Sequence, residues 1–151
     1  MGSKSVLRLQ GFDTLIKEID RAGGDIDNAI VKAIAESETI VEKQLKAECD
    51  RVGVPGSISG EIKKEAPKMQ NDVCTGVVGW KLGAYDPKNP SPGYKAVFLN
   101  YGTVRRKTAT GANRGEIVGR GFITAAKKKS KKPVAKVQKE TFENILKGLK
   151  K

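Results

Sequence analysis

The feature that most limits the fold is an apolar stripe between residues 26 and 49. Ile26, Ile30, Ile34, Val41, Leu45 and Cys49 keep a helical spacing, with the small Ser37 bridging the one wide gap. Gly23-Gly24 closes whatever precedes it, Asp25 or Asp27 can open the helix, and it is expected to run to about Asp50. Some 24 residues rising 1.5 Å each make a rod of roughly 36 Å. That is long for a domain of 151 residues, so the rod is expected to lie across a sheet. Its other face carries Lys32, Glu36, Glu42, Lys43 and Lys46, a solvated surface on which nothing asks for a ligand.

Ahead of it, residues 1–11 read as an N-terminal arm, with Val6, Leu7 and Leu9 available for an edge strand. Asp13 or Thr14 can cap a short helix with Leu15, Ile16 and Ile19 on its apolar face. Behind it, Val52-Gly53-Val54-Pro55-Gly56 is a turn, since the Gly-Lys-Ser/Thr ending of a phosphate loop is missing. Three strands are expected next. Ser57–Lys64 places Ile58 and Ile62 on one face, Val73–Trp80 alternates, and Lys95–Tyr101 aligns Val97, Leu99 and Tyr101. Gly83–Gly93, with Pro87, Pro90 and Pro92, reads as a surface loop joining the last two.

Residues 102–120 read as a flexible basic loop with Gly102, Gly111, Gly115 and Gly119, in which Glu116-Ile117-Val118 offers a short strand. Phe122 to about Lys132 is expected to be a helix that restarts at Pro133. The last helix carries Val134, Val137, Phe142, Ile145, Leu146 and Leu149 on one stripe. The expected fold is one α+β domain over 1–151: a long N-terminal helix, a small antiparallel sheet of three to four strands, and C-terminal helices packed on it.

Composition narrows the chemistry. There is no histidine, which excludes Ser-His-Asp and Cys-His catalysis and histidine-bound metals within this chain. Cys49 and Cys74 read as buried small hydrophobes rather than a disulfide or a metal pair. No apolar run approaches the ~20 residues that span a bilayer, and the opening residues lack a signal-peptide core, so a cytoplasmic origin is expected. No catalytic residue, cofactor or metal site is expected. Charge is the strongest signal. Residues 1–101 hold 14 Lys+Arg and 14 Asp+Glu, whereas residues 102–151 hold 15 and 3, so the whole +12 lies in the last third. A polyanionic or acidic partner is expected there. Arg105, Arg106, Lys107, Arg114 and Arg120, with the Lys127–Lys132 cluster, are the candidate contacts, although no recognised nucleic-acid motif accompanies them. Tyr85 and Tyr94, beside prolines, are expected to be exposed and available to an interface. Phe98, Tyr101 and Phe122 are expected to pack in the core around the loop.

Two stretches resemble a known family. Phe98-Leu99-Asn100-Tyr101-Gly102-Thr103, then a variable basic loop, then Arg120-Gly121-Phe122-Ile123-Thr124-Ala125-Ala126 and a terminal amphipathic helix, are similar to the small tail-component proteins of long-tailed phages. The short helix, break and long helix of the opening resemble them too. Asn100 stands where that family commonly has an acidic residue, and Gly121 where proline is usual. The resemblance implies a virion protein without a catalytic site, at the neck or tail top. It would complete the tail or join head to tail, assembling in the host cytoplasm as a homo-oligomeric ring around the DNA path. Its implied partners are itself and the neck and tail proteins, with non-specific contact to phage DNA. A ring would multiply each basic patch, so the basic loop is expected to face neighbouring proteins. The alternative function is sequence-independent nucleic-acid binding through the basic last third.

Overall fold

The computed structural model describes residues 26–71 and 73–149. The arm over 1–11 and the short helix expected after it lie outside these residues. Helix α1, Ile26–Arg51, is 26 residues long, and every position of the expected apolar stripe is buried. A single turn of helix, α2 (Gly56–Ser59), leads into strand β1 (Lys63–Gln70) and its antiparallel partner β2 (Val73–Gly79). Helix α3 (Pro92–Tyr101) and the 28-residue helix α4 (Phe122–Leu149) complete the order.

α1 is the element on which the others converge. The N-terminal part of α1 and the C-terminal part of α4 share one apolar cluster: Ile26, Ile30 and Ile34 with Cys74, against which Phe142 and Ile145 pack. The other end of α1 meets the start of α4 in a larger cluster, where Val41, Leu45 and Cys49 join Ile58, Ile62, Val78, Phe122 and Val134. The two long helices therefore run antiparallel, and the hairpin packs on α1 as well. Trp80 closes the larger cluster, its indole N–H donating to the Ile58 carbonyl at 2.7 Å and its ring set edge-on to Phe122 at 6.2 Å.

Three expectations need correction. Among the described residues the sheet has two strands, not three to four, because Lys95–Tyr101 is helical. A seven-residue apolar run fits either period. The start signal Ser91-Pro92 decides it, with Pro92 at the first helical position. The buried residues Gly93, Ala96 and Asn100 then follow helical spacing, and Tyr101 is 66% exposed rather than in the core. Of the strand expected over Ser57–Lys64 only Lys63 and Lys64 are extended, as the start of β1; Ile58 and Ile62 are both buried, but through the turn of α2 and the residues after it. The strand that does pair with β2 is the polar Lys-Lys-Glu-Ala-Pro-Lys-Met-Gln, which has almost no apolar alternation to reveal it. Its Pro67 is tolerated because the register slips between Glu65 and Lys68. Finally, α4 passes through Pro133 without restarting. That proline cannot donate to the Lys129 carbonyl, and packing on both sides of it holds the helix together.

Candidate functional site

The two stretches that carry the resemblance meet at one junction, built largely from main chain. α3 ends at Gly102, which has φ 82 and donates its N–H to the Phe98 carbonyl at 2.8 Å. The next two carbonyls of α3 are taken by the returning chain: Arg120 N–H donates to Leu99 at 2.9 Å, and Gly121 N–H donates to Asn100 at 3.0 Å. Asn100 itself is buried, and its Oδ1 accepts the Ile123 N–H at 2.8 Å, capping the first turn of α4. The end of one helix and the start of the next are thus joined reciprocally. The approach is so close that a Cβ on Gly102 would lie 2.6 Å from the Ile117 carbonyl oxygen, and one on Gly119 would lie 2.8 Å from the Tyr101 carbonyl.

Between these anchors the basic segment folds back on itself as a narrow hairpin. Thr103 N–H donates to Ile117 O at 2.9 Å, Arg114 N–H to Arg106 O at 2.7 Å, and Thr108 N–H to Ala112 O at 2.8 Å. Lys107 and Asn113 form an antiparallel bridge, and the tip is closed by Thr108 Oγ1 accepting from Ala112 N–H at 2.9 Å. Glu116-Ile117-Val118 lies in this hairpin but forms no strand of the sheet.

The predicted residues separate into three groups. Arg105, Arg106, Lys107 and Arg114 are exposed along the hairpin. Arg120 sits at its base and braces a different element. Its Nη1 donates to the Val52 and Gly53 carbonyls at 2.9 and 3.1 Å, just beyond the C-terminus of α1. Tyr85 and Tyr94 pack edge-on to each other at 4.9 Å, with Phe98 at 6.4 Å from Tyr85. Tyr85 remains half exposed.

Other features were not anticipated. Glu48, buried on the inner side of α1, accepts from Arg51 at 2.7 Å and from Lys129 of α4. The Lys129 and Arg51 hydrogen bonds hold its carboxyl below the ordinary value of 4.5. Glu38, also buried, accepts the Val77 N–H at 3.0 Å, and burial pushes its carboxyl up. The sequence signal for each was its place beside the apolar stripe of α1, next to Ser37 and Cys49. Large apolar side chains are exposed around the junction: Tyr101, Val104 and Val118. Cys49 and Cys74 are buried free thiols in separate clusters, Cys49 pushed up to about 11 by burial, which makes it a poor nucleophile. Among the described residues no three His, Cys, Asp or Glu side chains gather to hold a metal, and no helix is long and apolar enough to cross a membrane.

No protein-family model, no curated protein and no solved structure matches this chain.

Proposed function

We propose that the chain is a structural virion protein of a long-tailed phage, positioned at the neck or tail top and joining or completing the tail as a homo-oligomeric ring. The observation that carries this reading is the junction. The separate stretches 98–103 and 120–126, on which the resemblance rests, are held together by contacts that use their particular residues: glycine at 102, the Asn100 cap, and Arg120 on the end of α1, with Gly119 beside them. The junction holds out a hairpin and leaves Tyr101, Val104 and Val118 exposed at its base. Exposed apolar side chains gathered at one place favour a covering neighbour. In this reading the neighbour is a second copy in the ring. The role involves no catalytic step, and its sites of action are the virion and, during assembly, the host cytoplasm.

The test is genetic. Removing the chain from the virus that encodes it is expected to yield filled heads and finished tails that remain apart in electron micrographs. Purified wild-type particles are expected to contain the chain by mass spectrometry. Normal numbers of joined particles in its absence would overturn the reading.

A further inference from the structure

The cations of this chain divide into those that have a carboxylate partner and those that do not. Lys46, Arg51, Lys63, Lys64, Lys68, Lys129, Lys136 and Lys139 all sit within ion-pair distance of a glutamate. Arg120 is engaged by backbone carbonyls. None of the ion pairs among the described residues involves Arg105, Arg106, Lys107 or Arg114, nor do they involve other exposed lysines such as Lys127, Lys128, Lys131 and Lys132 of α4; what sets the four apart is that one narrow hairpin carries them.

Their arrangement works against the hairpin that bears them. The bond from Arg114 N–H to Arg106 O, together with the Lys107–Asn113 bridge, sets Arg106 directly across from Arg114, with Arg105 and Lys107 beside them. Like charges facing each other across a strand pair are destabilising. No apolar side chain is buried in this tip to offset that cost, since residues 104–116 are exposed apart from half-buried Thr108. The main chain nevertheless holds the residues that carry these charges opposite and beside one another.

We propose that the hairpin tip, through Arg105, Arg106, Lys107 and Arg114, binds the phosphate backbone of a nucleic-acid duplex. A planar guanidinium suits a phosphate bidentately, and a group of them neutralises neighbouring phosphates. Two further observations separate this occupant from its rivals. Protein interfaces are anchored by apolar and aromatic side chains, yet the tip beyond Lys107 reads Thr-Ala-Thr-Gly-Ala-Asn before Arg114. The apolar residues Tyr101, Val104 and Val118 stay at the base. Single strands are bound by stacking on aromatic rings, and residues 102–121 contain no aromatic residue at all. The proposal stands apart from the virion assignment, because it rests on the charges, composition and pairing of the hairpin tip.

Fluorescence anisotropy with labelled duplex DNA, duplex RNA and single-stranded DNA of equal length, titrated across a salt series, tests it on the full chain. The wild type is expected to bind either duplex more tightly than the single strand. The variant Arg105→Gln/Arg106→Gln/Lys107→Gln/Arg114→Gln is expected to weaken duplex binding by at least about tenfold and to flatten the log–log salt slope by about 3 to 4. A charge-matched control, Lys32→Gln/Lys43→Gln/Lys81→Gln/Lys88→Gln, removes equally exposed lysines elsewhere and is expected to leave most of the affinity. Circular dichroism should show both variants folded, because all eight side chains are exposed. An equal loss in the control would overturn the assignment. So would tighter binding to the single strand, or binding to polyglutamate that competes fully with the duplex.

Discussion

Two buried glutamates on α1 respond to pH in opposite directions. Glu48 is held below its ordinary value by Lys129 and Arg51. Its unfolded form therefore binds a proton more readily, and its contribution to stability is complete above pH 4.5 and lost as pH falls through the lower folded value. Glu38 is raised by burial, so its native form holds the proton more tightly, and stability declines as pH rises from 4.5 through the higher folded value. Glu48→Gln is expected to flatten the acid limb of a stability-versus-pH curve measured by urea unfolding. Glu38→Gln is expected to remove the decline on the other side. Asn100 is the other informative residue. It supplies the cap of α4 from the end of α3, although its Nδ2 has no partner among the described residues. Asn100→Ala is expected to lower stability by about 1 kcal/mol, as loss of a helix cap generally does. Asn100→Asp keeps the acceptor and should retain most of that stability, with thermal melts ranking the two.

At the level of elements, backbone approach fixes the hairpin and the sheet. A Cβ at Gly76 of β2 would fall 2.5 Å from Glu38 Oε1 and 2.8 Å from Ile34 Cγ2. Gly76→Ala is accordingly expected to cost about 1–3 kcal/mol by overpacking, read as a lower urea midpoint. Gly102→Ala adds a side chain at positive φ against a carbonyl that cannot yield, and should cost a similar amount. The same contacts mark how far the sequence could be read. α1 was legible because a long helix repeats its period often enough to be unambiguous. Lys95–Tyr101 was not, because its apolar run is too short to separate the periods and the decisive Ser91-Pro92 signal precedes it. β1 was hidden because it packs few of its own side chains; its burial lies in the face that β2 turns to α1. The basic residues were visible as composition. Nothing in their spacing distinguished Arg120, which braces α1, from Arg106 and Arg114, which face each other across the hairpin.

For the molecule as a whole, these contacts draw a boundary between scaffold and appendage. The scaffold is α1 with α4 and the β1–β2 hairpin packed along it, completed by the junction of Asn100, Gly102, Gly119 and Arg120. The appendage is the exposed tip between Arg105 and Arg114. Replacing 105–114 by a short turn, with Gly102–Thr103 and 117–121 intact, is expected to leave the melting temperature within a few degrees. Extending the deletion through 120 should destabilise the chain strongly, since it removes the bonds that close α3 and brace α1.

The most direct measurement combines this boundary with function. Cells infected by a virus lacking the chain are supplied with either the wild-type protein or the version with 105–114 replaced, and joined particles are counted by electron microscopy. The wild type is expected to restore joining, and the shortened protein to accumulate folded yet leave heads and tails apart. No dependence of joining on the chain would contradict the assignment of joining to it, and full rescue by the shortened protein would contradict a part for the hairpin tip in that role.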